Sequence, residues 1–131
     1  MNLLLDTHIW LWSLLEPNRL SSKVSRLLDD NASVIWLSPI STWEAVLLIQ
    51  KGRITVDKDA EAWVADALSV AKFREAPLTN EIVLATVSLQ LPHRDPADRF
   101  LGATAKVLGL TLITADRHLA KSRDFAVLVN R

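Results

Sequence analysis

Cysteine is absent from the 131-residue sequence, and with it go disulfides, thiolate metal sites and cysteine nucleophiles. A chain without thiols suits a reducing compartment, so the cytoplasm is the expected location. No run approaches the roughly 18 apolar residues of a membrane-spanning helix. The segment from Met1 to Leu5 carries no basic residues ahead of its apolar run, so neither membrane insertion nor export is expected. Net charge is lacking too: 15 basic and 15 acidic residues cancel. The global signature of a nucleic-acid binder is therefore missing. A nucleic-acid function would need the acids gathered in one pocket and neutralised there by metal, leaving basic residues elsewhere to meet phosphate. Internal repeats, low-complexity segments and linkers are also absent, and the length is that of one domain, 1–131. Half of the residues are hydrophobic, enough for a core with a surplus for a partner surface.

Strand and helix signals alternate along the chain. Asn2 to Leu5 is a short apolar run ending at Asp6, and Ile9 to Leu15 follows as a buried first helix. After Pro17-Asn18, Ser21 or Ser22 can cap a second helix that carries Val24, Leu27 and Leu28 and ends near Asp30. Ser33 to Leu37 reads as a buried strand, and Ser38-Pro39 starts a helix that stops at Gly52. Asp59 to Lys72 reads as a helix, Ala76 to Leu78 as a short strand, and Thr79 as the N-cap of a helix through Leu89. Asp95-Pro96 opens a helix that runs to Gly109, followed by strands Leu110 to Thr114 and Phe125 to Val129. Such alternation predicts an α/β fold, a three-layer α/β/α sandwich around a mostly parallel sheet of four to five strands. Ligands are expected beyond the C-terminal ends of its strands.

Four acids fall at or near that edge: Asp6, Glu44, Asp98 and Asp116. Each has a local explanation as well. Asp6 can cap the first helix. Glu44 follows Ser41 at capping-box spacing, but a helix that starts at Pro39 puts it well inside, where a carboxylate needs a partner. Asp95, before Pro96, reads as an N-cap, which leaves Asp98 in the first turn, where the helix dipole favours negative charge. Asp116 can cap the short Arg117–Lys121 turn. Their coincidence at one edge is the stronger observation. Carboxylates crowded together raise one another's pKa unless a cation neutralises them, and oxygen-only ligation suits Mg²⁺ or Mn²⁺. Such ions can polarise a phosphate, activate a water and stabilise a leaving oxygen. On this reading Asp6 and Asp98 bind the principal ion, Glu44 ligates it or orients the attacking water, and Asp116 completes the site.

In order and spacing these segments resemble the PIN-domain family, and specifically the VapC toxins of bacterial type II toxin–antitoxin systems. The resemblance rests on Leu4-Leu5-Asp6-Thr7, Ser38-Pro39 through Trp43-Glu44-Ala45, Asp95-Pro96-Ala97-Asp98-Arg99 with Ala103 and Ala105, and Leu112-Ile113-Thr114-Ala115-Asp116. It spans essentially the whole chain. It implies a PIN-like fold and an RNA endonuclease that needs Mg²⁺ or Mn²⁺. It further implies a homodimer, and inhibition by a VapB-like antitoxin whose C-terminal segment occupies the active site. Asp6, Glu44, Asp98 and Asp116 carry over as site residues and Thr114 as a polar neighbour. Asp95 stays open between helix cap and outer-shell ligand, and His93 has no assigned role.

His8, His93 and His118 lack metal-ligand spacing among themselves. Trp10, Trp12, Trp36 and Trp43 lie in segments that look buried, so core packing is their expected work. Arg94, Arg99, Arg117, Lys121 and Arg123 adjoin the third and fourth acids and can meet RNA phosphates, or can simply be solvated surface charge. Two other classes share part of this pattern. A phosphoryl-accepting receiver domain wants paired acids after its first strand and a lysine after its last, whereas Asp6 is single and the loop after Thr114 offers Asp116. An inactive binding module would keep the fold for its partner interface alone.

Overall fold

Leu3, Leu4 and Leu5 have no polar side to offer solvent, and the strand they form, β1 (Asn2–Leu5), is the middle strand of the sheet, those three residues at most 1% exposed. The computed structural model describes residues 1–70, 72–91 and 95–131. Around β1 stand β2 (Val34–Leu37), β3 (Phe73–Glu75), β4 (Thr111–Thr114) and β5 (Ala126–Val129), in the order β3-β2-β1-β4-β5. Every pairing is parallel, with Leu4 opposite Trp36 on one side and Leu112 on the other. The helices are α1 (Thr7–Leu15), α2 (Ser22–Asp29), α3 (Pro39–Gln50), α4 (Ala60–Val70), α5 (Asn80–Ala85) and α6 (Pro96–Leu108). The expected α/β/α sandwich is what forms.

Strand period two divides the core between the faces. Leu4 and Leu112 point to the layer built by α5 and α6, where Ile82, Leu101, Ala103 and Leu119 meet them. Leu3, Leu5 and Ile113 point to the other layer, packed by Ile9, Trp10, Val24, Ala45 and Val64 from α1 to α4. No described helix is long and apolar enough to cross a membrane.

Helix ends follow their local chemistry. The hydroxyls of Ser21, Ser38 and Thr79 accept from the backbone N–H of Val24, Ile40 and Ile82 respectively. Gly52 and Gly109 end α3 and α6 with φ of +71° and +66°, a conformation that side chains resist.

Two expectations fail here. The third strand is Phe73–Glu75 and not Ala76–Leu78. As an edge strand it leaves Arg74 and Glu75 exposed, so its charged residues hide it from a hydrophobic reading. The helix from Thr79 ends at Ala85, and a 3-10 turn, Thr86–Ser88, takes over before Leu89.

Gly102 is demanded by packing. A Cβ there would stand 2.7 Å from Cε1 and 3.0 Å from Cζ of Phe125, whose ring is buried. Gly102→Ala gains about 1 kcal/mol of helix propensity but overpacks the core, at about 1–3 kcal/mol. Net destabilisation is expected in chemical denaturation, and the loss should shrink in a Phe125→Leu background, where the ring is gone. A Gly102→Ala chain as stable as the parent would show that Phe125 yields freely.

Candidate active site

The chain winds to one side of β1 through β2 and β3 and to the other through β4 and β5, so the strand order reverses between β1 and β4. A crevice opens at the C-terminal ends of strands at such a point. Asp6 leaves β1 there. Its Oδ1 accepts from the Thr7 backbone N–H at 2.8 Å, and its Oδ2 accepts from the Thr114 hydroxyl at 2.6 Å. One oxygen of Asp6 thus caps α1, as the sequence allows, and the other is tied to β4 through Thr114. The Thr114 hydroxyl, fully buried, in turn accepts from the backbone N–H of Asp116 at 3.0 Å.

Glu44 lies in the second turn of α3, since that helix begins at Pro39. The Thr7 hydroxyl reaches across from α1 and donates to Glu44 Oε1. It also stands 3.0 Å from Ser41 Oγ. A hydroxyl has one proton, so while Thr7 gives its own to Glu44, Ser41 must be the donor of the other bond. Thr7 and Ser41 are buried, so this chain of hydroxyls holds Glu44 against a dry wall.

Asp98 sits in the first turn of α6, and Asp95 caps that helix by accepting from the Ala97 backbone N–H at 3.0 Å. Asp116 accepts from the backbone N–H of His118 at 2.8 Å and so shapes the turn after β4. Five carboxylates, those of Asp6, Glu44, Asp95, Asp98 and Asp116, line one cleft of about 350 Å³ together with His8 and Trp12.

Proton affinity is raised at Asp98, Asp6 and Glu44. Burial, reinforced by the charges of Asp6, Asp95, Asp116 and Glu44, pushes Asp98 up to about 7. Burial also raises Asp6, with the Thr114 and Thr7 hydrogen bonds pulling the other way. Glu44 is raised by burial and by Asp6 and Asp95, against the Thr7 hydroxyl. A hard divalent cation bound here would relieve this crowding and displace the protons. Among the described residues no three acids or histidines close around a single point as a ready ligand set. The donors that line the cleft are carboxylate oxygens, the chemistry that suits a hard ion such as Mg²⁺ or Mn²⁺.

The other residues singled out in the sequence divide. Arg99 Nη1 donates to the carbonyls of Thr86 and Leu89 at 3.0 and 3.2 Å, which ties α6 to the preceding turn and directs its guanidinium to the scaffold. Arg117, Lys121 and Arg123 are exposed on the segment after β4. His93 and Arg94 lie outside the described residues. His8 lines the cleft, with its ring centroid 5.9 Å from that of Trp12. The sequence offered Ser41 only as a possible helix cap and gave Thr7 no role, although a hydroxyl directly after Asp6 and another three residues before Glu44 were the available signals. It also placed Trp43 in the core, and Trp43 is 56% exposed.

The PIN domain family matches residues 3–124. Ribonuclease VapC22 of Mycobacterium tuberculosis is 31% identical over 121 residues, covering 92% of this chain and 91% of that one. The fold is shared with VapBC2 from Rickettsia felis bound to a DNA fragment from its promoter, with a TM-score of 0.75 at 16% identity and full coverage of both chains. It is shared also with DNA-bound VapBC from Salmonella typhimurium, with a TM-score of 0.69 at 15% identity over 98% of each chain.

Proposed function

The chain belongs to the PIN-domain family, in its VapC branch; from that premise we propose that residues 1–131 form a single domain acting as the ribonuclease toxin of a type II toxin–antitoxin pair. Its reaction is metal-dependent hydrolysis of RNA phosphodiester bonds in the cytoplasm. The observation that carries this reading is the meeting of carboxylates from four separate segments in one cleft at the switch point of the sheet.

In the proposed mechanism Asp6 and Asp98 hold Mg²⁺ or Mn²⁺, Asp116 completes the site, and Glu44 ligates the ion or orients the attacking water. When bound, the ion polarises the phosphate, lowers the pKa of a water and stabilises the leaving oxygen. Thr114 fixes the direction of Asp6, and Thr7 with Ser41 fixes that of Glu44. Asp95 supports α6 from its cap and adds negative charge at the rim. Arg117 and Lys121 meet RNA phosphate from the segment after β4. A VapB-like antitoxin is the inhibiting partner. A second copy of the chain covers the apolar surface of α5 and the turn behind it, where Leu84 is 71% and Val87 83% exposed.

The test is cleavage of total RNA by purified, antitoxin-free protein with Mg²⁺ or Mn²⁺ beside a chelator control. Cleavage that stops in chelator is the expected result. Cleavage that survives chelator overturns the metal assignment, and metal binding without any turnover would leave an inactive binding module. The pH dependence has a definite sign. Asp98 holds a proton below about 7 and must release it to take up an ion. At limiting metal, cleavage should rise with pH through that value, and its midpoint should move down as metal is added. A profile flat from pH 5.5 to 8 would remove Asp98 from the ion.

A further inference from the structure

Trp43 immediately precedes Glu44 on α3, yet it faces solvent, 56% exposed. The other tryptophans that sequence reasoning placed in the core are otherwise occupied. Trp10 is fully buried, the Trp12 ring is covered by the Arg19 guanidinium at 4.2 Å, and Trp36 lies under that of Arg74 at 5.7 Å. Trp43, Leu47 and Lys51, four residues apart, form one stripe along α3.

At the end of this helix, Gly52 donates to the Ile49 carbonyl at 3.0 Å and the Arg53 N–H donates to that of Leu48 at 2.9 Å. This paired closure on a left-handed glycine turns the chain back, so that Arg53 stands over the last turn of the helix. Trp43, Lys51 and Arg53 consequently line one pocket of about 460 Å³. Glu44 and Asp95 line both this pocket and the carboxylate cleft, so the two adjoin.

We propose that the exposed face of Trp43, flanked by Lys51 and Arg53, is the stacking subsite for an unpaired base of the RNA strand whose phosphate lies in the carboxylate cleft. The proposal rests on the ribonuclease reading above and adds to it a base-binding position beside the carboxylate cleft. An indole face accepts any base whose own face is free, whereas bases in a duplex are stacked on their neighbours. The two cations match the phosphates on either side of that base. The two cations, in a pocket that adjoins the carboxylate cleft, favour a polyanion over an apolar protein contact.

The test is binding of a labelled short single-stranded RNA in chelator at low salt, where cleavage does not intervene. The unaltered chain is compared with Trp43→Leu, Trp43→Phe and the double variant Lys51→Gln/Arg53→Gln. Trp43→Leu should bind roughly 5- to 150-fold more weakly, the range a lost base stack covers. Trp43→Phe should stay near the parent. The double variant should flatten the salt dependence by about 1.4 in slope, for two lost contacts to a single strand. A duplex of the same length should not distinguish Trp43→Leu from the parent. Circular dichroism and the unfolding temperature confirm that each variant folds. Equal affinity of Trp43→Leu and the parent for the single strand overturns the subsite and leaves the ribonuclease reading standing. If Trp43→Leu instead converts a dimer to monomer with RNA affinity unchanged, Trp43 is a protein contact and the subsite is again overturned. No binding of any RNA by the parent overturns both.

Discussion

Asp98→Asn should cut RNA cleavage by at least about 100-fold, because even a group that merely supports a metal ligand costs about 10- to 100-fold when removed. The same variant should be more stable than the parent at pH 8 in chelator. The carboxyl of Asp98 is raised to about 7 by burial and by the four neighbouring acids. Between the ordinary carboxylate range and that value, the folded chain keeps a proton that the unfolded chain has released. Stability contributed by this group is thus fully present below pH 4 and is lost as pH rises toward 7. Above 7 the folded state carries the whole repulsion, and an uncharged amide removes it. Solvent reaches a half-buried carboxyl, so the gain is about 1–2 kcal/mol and not the full value of the shift. At pH 4 the parent is already neutral there and the difference should vanish. Thermal unfolding at the two pH values checks this, and a variant less stable than the parent at both would show that the charge is compensated within the fold.

Thr114→Val should weaken Mn²⁺ binding by about 10- to 100-fold with little change in shape. The hydroxyl does two jobs: it donates to Asp6 Oδ2 at 2.6 Å and accepts from the backbone N–H of Asp116 at 3.0 Å. Valine matches the volume of threonine and does neither. Asp6 then loses one of the two hydrogen bonds that oppose its raised proton affinity, so metal binding should also need a higher pH. Loss of a buried hydrogen bond costs about 1–3 kcal/mol of stability when its partners stay behind. Thr114→Ser, which restores the hydroxyl, should recover most of the affinity. Calorimetric titration with Mn²⁺ reads all three proteins, and unchanged affinity in the valine variant would remove Thr114 from the site.

Much of the local structure was legible because its causes are local. Ser21, Ser38, Thr79 and Asp95 each cap a helix through a bond spanning at most three residues, and Gly109 ends α6 where no side chain would settle. The triplet Leu3-Leu4-Leu5 announced a strand buried on both faces. Failures came where neighbours in space decided the matter. Phe73–Glu75 is a strand because Ile35, Trp36 and Leu37 offer it a free edge, and nothing in Phe-Arg-Glu itself says so. Trp43 belongs to an apolar stretch of sequence but lies on a side of α3 that the described residues leave exposed, so its composition misled. Arg99 adjoins an acid in the chain, yet in space its guanidinium meets two carbonyls.

The sequence by itself determined the alternation of strand and helix, the positions of the caps and the short list of acids, since propensity, periodicity and capping act over a few residues. Tertiary structure alone decided which acids share a cleft, and that Thr7, Ser41 and Thr114 orient them. Those bonds join residues 34 to 108 positions apart, and only the parallel stacking of β1 against β4 and the crossing of α1 over α3 bring such residues within reach of one another.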